Sequence, residues 1–71
     1  MHPINTNQAL GERLRFLREH NGLTQKQVST YLAVERSTYS YYERGKTLPS
    51  IFILKLLCEL YDCSFEELLK I

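Results

Sequence analysis

Helix start and stop signals recur so closely along this chain that no element can be long and none reads as a strand. "TQKQ" at residues 24–27 and "SFEE" at residues 64–67 are capping boxes. In each, a hydroxyl accepts a bond from the backbone N–H three residues on, while the Gln or Glu there reaches back to the first N–H. Asn21-Gly22 and Gly45 supply left-handed stops; Pro49 forbids helix behind it and Ser50 caps the next one. These marks predict five short helices: about Asn7–His20, Thr24–Leu32, Arg36–Arg44, Ile51–Tyr61, and a last one from Ser64 to the C-terminus that is still helical at Ile71. Leu10, Leu14 and Leu17 recur at i, i+4 and i+7 in the first, as a core-facing stripe does. The reading is one all-α domain over residues 1–71 with its core in about 9–69, near the lower size limit for folding without staples.

Several classes of function are disfavoured. Cys58 and Cys63 have no partner pair, and the histidines are His2 and His20, which suits neither a four-ligand zinc site nor a disulfide framework. Two free, buried or half-buried thiols in a reducing cytoplasm are expected instead. There is no paired-carboxylate cleft, no Cys–His pairing and no phosphate-cradling glycine loop, so no catalysis, cofactor, metal or small-molecule ligand is expected. "MHPINTNQAL" lacks the basic and apolar regions of a secretory signal, and the apolar run Ile51–Leu57 is broken by Lys55 and too short to span a bilayer. A cytoplasmic protein without membrane contact is the expectation.

Net charge is only +1, but it is unevenly spread: residues 13–46 carry seven cations against three anions, and residues 47–71 two against four. Such polarity suits one phosphate-facing side. The centre of the basic part is "ERSTYSYYERGK", residues 35–46, with three tyrosines, three hydroxyl residues and three cations. At 100° per residue, Tyr39 and Tyr42 fall on one side of this third helix, with Glu43 at the boundary, and Arg36, Ser37, Ser40, Tyr41 and Arg44 on the other. A forked guanidinium, short hydroxyls and one amphipathic ring on a single helical face suit the base edges and phosphates of a major groove. Helix two, a link of about three residues and helix three have the dimensions of a helix-turn-helix.

"LTQKQVSTYLAVERSTYSYYERGKTLPS", residues 23–50, resembles the signature of the Cro/repressor-type (XRE-type) helix-turn-helix regulators; "GERLRFLREHNGL" and "CELYDCSFEELL" extend the likeness to residues 9–69. The resemblance implies a five-helix lambda-repressor-like DNA-binding domain whose helices two and three form the helix-turn-helix. It implies base reading by Arg36, Ser37 and Tyr41, with Ser40 and Thr38 nearby, and backbone contacts from Thr24, Gln25, Thr38, Arg44, Lys46 and Thr47. Gln25 should also brace helix three. Arg18 and Glu43 match a buried ion pair tying helix one to helix three, a structural role. Three positions depart from the family pattern. Ala33 replaces a turn glycine, Ser29 an alanine at the tight helix contact, and Glu35 a hydroxyl N-cap.

Helix four is apolar almost all round, which requires cover on both faces. Ile51, Leu54, Leu57, Cys58 and Tyr61 form one arc, read as core-facing; Phe52, Ile53, Leu56 and Leu60 form a second. The second arc, with Phe65 and Leu69 of the last helix, is expected to join two copies as a homodimer; cover by helix five and the N-terminal tail within the monomer is the alternative. Phe16 lies off its helix stripe, and could pack on Pro3 and Ile4 or on a partner. The function expected is a transcriptional regulator, read as a repressor, that binds a pseudo-palindromic double-stranded operator. The competing reading is a protein-binding module, an antitoxin or anti-repressor, that uses the apolar surface of helix four.

Overall fold

The computed structural model describes residues 6–70. The chain forms α1 (Thr6–His20), α2 (Gln25–Leu32), α3 (Arg36–Glu43), α4 (Ile51–Tyr61) and α5 (Phe65–Leu68), with no strand among the described residues. Both capping boxes form. The Gln27 backbone N–H donates to Thr24 Oγ1 at 3.1 Å and the Thr24 N–H to Gln27 Oε1 at 2.9 Å. At α5 the Glu67 N–H donates to Ser64 Oγ at 3.1 Å and the Ser64 N–H to Glu67 Oε1 at 2.8 Å. Ser50 caps α4 by accepting from the Ile53 N–H, 3.3 Å.

Helices α1 to α4 all close in the same way. A residue in the left-handed region follows each (Gly22, Ala33, Gly45 and Asp62, φ 67°, 58°, 71° and 50°). The next N–H then bonds five residues back: Leu23 to Arg18, Val34 to Ser29, Lys46 to Tyr41 and Cys63 to Cys58, at 2.9–3.1 Å. This is the Schellman closure, which satisfies carbonyls that a helix end leaves without partners. Ala33 adopts the left-handed conformation that its position requires, and its methyl group strains it by roughly 1–2 kcal/mol.

Packing joins α1 and α2 to α3, α4 to α5, and α2 to α4. Every helix contributes to one core: Leu10 and Leu14, Val28 and Leu32, Tyr39 and Tyr42, Leu54 and Leu57, and Leu68. Leu14, Leu57 and Leu68 are fully shielded, each burial contributing roughly 1.5–3 kcal/mol. Ser29 fits the tight α2 contact by donating its hydroxyl to the Lys26 carbonyl, 3.0 Å. Where α1 crosses the end of α3 there is room for backbone only. A Cβ on Gly11 would lie 2.4 Å from the Glu43 carbonyl oxygen and 2.6 Å from that of Tyr42, and one on Gly45 would lie 2.8 Å from Gln8 Cα.

Three expectations are corrected. Ile51 is not core-facing: it is 67% exposed, because the helix's first residue lies a turn short of Leu54, where burial begins. The last helix stops at Leu68 instead of running on. Arg13 Nη2 of α1 donates to the Glu67 carbonyl at 3.0 Å, and the Lys70 N–H donates to the same oxygen at 3.3 Å, so the acceptor that a further turn would need is already taken. Arg44 follows α3 as its cap and is not its last residue. Phe16 stacks on His20 with centroids 5.5 Å apart, and the Arg13 guanidinium lies 5.6 Å from its ring; Pro3, Ile4, His2 and Ile71 lie outside the described residues. Cys58 and Cys63 are free and half-buried. No helix of the described residues is long and apolar enough to cross a membrane.

Candidate nucleic-acid interface

The inward side of α3 is fixed by aromatic packing. Tyr39 is fully buried and Tyr42 nearly so, their rings meeting edge to face at 6.2 Å. Burial, and then the nearby Glu43 carboxylate, pushes the Tyr39 phenol far above its ordinary range, and burial pushes Tyr61 up to about 12. Both rings are therefore neutral at any physiological pH. With Tyr39 and Tyr42 turned in, Arg36, Ser37, Tyr41 and Arg44 stand exposed, and Ser40 and Thr38 lie half-buried at the flanks.

A chain of polar contacts leads from the core to this outward face. Arg18 grips Glu43 with two donors, Nε to Oε2 at 2.6 Å and Nη2 to Oε1 at 3.1 Å, and Nη1 donates to the Leu23 carbonyl at 3.0 Å. Gln25 Nε2 donates to Glu43 Oε1 at 3.1 Å, and Gln25 Oε1 accepts from Arg36 Nη1 at 3.2 Å. Burial works against the charged form of Glu43. The bonds from Arg18 and Gln25 outweigh it, helped by a Tyr39 hydroxyl that is close without forming a hydrogen bond of good geometry, so the carboxyl is held below its ordinary range. The Glu43 bond, ahead of the opposing effect of burial, raises Arg18 further above its usual value. Glu43 therefore stays an acceptor and Arg18 a donor, and Gln25 must turn its amide N–H to the carboxylate and its oxygen to Arg36. A neutral side chain thus orients the guanidinium of an exposed one.

The other expected residues are spread around this line. Thr24 is exposed, and its hydroxyl is engaged in the cap. Lys46 and Thr47 are exposed in the loop after α3. Arg44 reaches back over the Tyr41 ring, its guanidinium carbon 4.9 Å from the centroid. Glu35 precedes α3 without a side-chain capping bond. Sequence reasoning missed two features. The Gln25–Arg36 bond depends on how α2 and α3 cross. The bond from Arg13 to the Glu67 carbonyl takes up a cation that composition alone counts toward a basic surface; Lys26, Arg36, Arg44 and Lys46 are exposed on or beside the helix-turn-helix.

On the apolar side, Ile53, Leu56, Leu60 and Leu69 are partly buried against the core. Phe52 at 77% exposure, Ile51 at 67% and Phe65 at 43% stand out from it. Ile51, Lys55, Cys58 and Phe65 line an apolar groove beside them.

A helix-turn-helix family model matches residues 14–68. The transcriptional activator BcrR of Enterococcus faecalis is 36% identical over 59 residues, 83% of this chain and 29% of that protein. Two solved structures superpose closely. The restriction-modification controller protein C.AhdI of Aeromonas hydrophila has TM-score 0.79 and 31% identity, over 86% of this chain and 92% of that one. The clp gene regulator ClgR of Corynebacterium glutamicum has TM-score 0.83 and 28% identity, over 97% and 88%. The chain spans between 29% and 56% of the length of the curated relatives it matches. The capped second helix, the inward tyrosines and the Arg18–Glu43 clamp that the chain's own residues build are thus set in a shared architecture, and the chain belongs to the XRE-type helix-turn-helix family of transcriptional regulators.

Proposed function

We propose that this protein is a sequence-specific double-stranded DNA-binding repressor that docks α3 in the major groove as a homodimer on an approximately palindromic operator. It performs no chemistry on DNA; occupancy alone changes polymerase access. One observation carries the reading: the outward face of α3 is polar, exposed and held in place, with Arg36 anchored through Gln25 to the buried Glu43–Arg18 pair. Arg36, Ser37, Ser40 and Tyr41 take the base-reading roles. Thr24, Gln25, Thr38, Arg44, Lys46 and Thr47 face the phosphates, where helix N-termini and cations bind oxygen. A guanidinium held in advance suits bidentate contact with guanine.

The second copy sits on the face centred on Phe52 and Phe65, with Ile53, Leu56, Leu60 and Leu69 as its half-buried floor. A two-fold axis there presents the same groove and the same Phe52 on both sides, as an isologous contact requires. The two recognition helices then lie about 34 Å apart on one side of the duplex. The same exposed apolar face favours the second reading, an antitoxin or anti-repressor that covers a protein.

Mobility shifts and sedimentation at micromolar concentration separate the two. The regulator reading expects a shift on genomic DNA at low salt, and a dimer. Arg36→Ala is expected to relax discrimination at one base pair by about 1–3 kcal/mol, whereas Lys46→Ala weakens all sequences alike and lowers the salt slope. Equal loss on selected and random duplexes for Arg36→Ala contradicts its assignment, and a strict monomer with and without DNA removes the dimer. A reporter downstream of the operator should fall in expression; a rise marks an activator.

A further inference from the structure

We propose that Tyr41 and Arg44 act as one unit that reads the C5-methyl group of a thymine in the major groove. The inference rests on the outward face of α3 being the DNA surface, and it names what one part of that face recognises. Tyr41 is 47% exposed and is the only large apolar side chain of α3 that is exposed. Its outward neighbours Arg36, Ser37, Ser40 and Arg44 all end in donors or hydroxyls.

Arg44 determines how the ring is presented. Its guanidinium carbon lies 4.9 Å from the ring centroid, within cation–π range. A guanidinium over a ring still has N–H groups that can bond a phosphate. One face of Tyr41 is therefore covered by a cation, and its opposite face and edge are what it offers to the groove. The backbone beneath is fixed too, because the Tyr41 carbonyl accepts the Lys46 N–H at 2.9 Å in the closure of α3.

The groove limits what an aromatic surface can meet. Base edges there present donors and acceptors, and pressing a ring on one of those strips it of water without replacing the bond. Thymine's methyl group is the exception, an apolar feature on the floor of the groove. Tyr41 follows Arg36 by five residues, roughly 7.5 Å along the helix axis at about 1.5 Å per residue. For a helix lying along the groove, the thymine then sits about two base pairs from the pair that Arg36 contacts, at about 3.4 Å per base pair.

The test uses duplexes that the full chain selects from a randomised pool, with each thymine of the consensus replaced in turn by deoxyuridine. Binding is followed by fluorescence anisotropy at one fixed salt concentration. One thymine per half-site is expected to lose roughly threefold to tenfold in affinity on removal of its methyl, a size set by the burial of one methyl group. Tyr41→Phe keeps that loss, Tyr41→Ala binds thymine and uracil duplexes equally, and Arg44→Lys, which keeps the charge but not the planar guanidinium over the ring, brings the ratio toward one. Thermal unfolding of the same variants verifies that they are folded. No uracil effect at any position, an effect that survives in Tyr41→Ala, or an effect lost in Tyr41→Phe overturns methyl reading while DNA binding stands. A pool that yields no consensus overturns the DNA-binding reading itself.

Discussion

Replacing Gly11 by alanine sets two opposing effects against each other. Gly11 lies inside α1, where alanine ordinarily improves helix stability by roughly 0.8–1 kcal/mol. Here the added methyl would stand 2.4 Å from the Glu43 oxygen, 2.6 Å from the Tyr42 oxygen and 2.8 Å from the Glu43 carbonyl carbon. All three are backbone atoms of α3, so no side chain can rotate away. Carbon contacts relax at about 3.5–4.0 Å, so the two helices must separate by roughly 1 Å. Overpacking of this kind costs typically 1–3 kcal/mol, and separating α1 from α3 also loosens the packing of Leu10 and Leu14 against Tyr39 and Tyr42. Steric cost wins. With the contacts this short the cost lies toward the upper end of that range, and after the propensity gain Gly11→Ala is expected to be destabilised by about 1–2 kcal/mol net, a fall in Tm of roughly 4–16 °C for a domain of this size. Urea and thermal unfolding followed by circular dichroism measure it. Gly22→Ala is the control: nothing lies within 4 Å of its Cβ position, and only its φ of +67° opposes the change, so it should lose about 1 kcal/mol. A Gly11→Ala protein as stable as the parent, or more so, would refute the reasoning.

Further outcomes follow from the clamp and the turns. Arg18→Met leaves the Glu43 carboxylate, whose side chain is 3% exposed, without its main partner, and should cost about 3–5 kcal/mol; a loss under 1 kcal/mol in urea unfolding counts against a buried, coupled pair. Because Glu43 is held below its ordinary value of 4.5, the unfolded chain takes up the proton first as pH falls. The stabilisation is therefore complete above that value and is lost as pH drops through the folded one; Glu43→Gln should flatten this acid limb in unfolding measured from pH 6 downward by titration. Ala33→Gly removes the left-handed strain and should raise stability by roughly 1 kcal/mol, with an unchanged or lower Tm as the opposing result.

What could be read in advance was local. The capping boxes at Thr24 and Ser64 and the stops at Gly22 and Gly45 are legible because both partners of each bond lie within a few residues. The inward turn of Tyr39 and Tyr42 follows from helical periodicity once α3 is placed. Long-range geometry was not legible. A helical wheel gives a direction but not the reach of the neighbouring helix, so it points Ile51 toward a core that begins only at Leu54. The end of α5 depends on Arg13, 54 residues away from the carbonyl it occupies. Gly11 is legible in part, since a glycine inside a helical pattern gives up stability and points to a close approach. The Arg18–Glu43 pair was accessible through family resemblance, whereas the bond from Gln25 to Arg36 needed the crossing of α2 and α3.

The repeated closures of α1 to α4 bear on how quickly this chain reaches its fold. Each segment is begun and ended by contacts a handful of residues apart, so little polymer must be looped before native interactions accumulate. Helical domains assembled this way refold on the microsecond-to-millisecond scale. After each transient unfolding event, a domain closed in this way regains its fold within that same span of time.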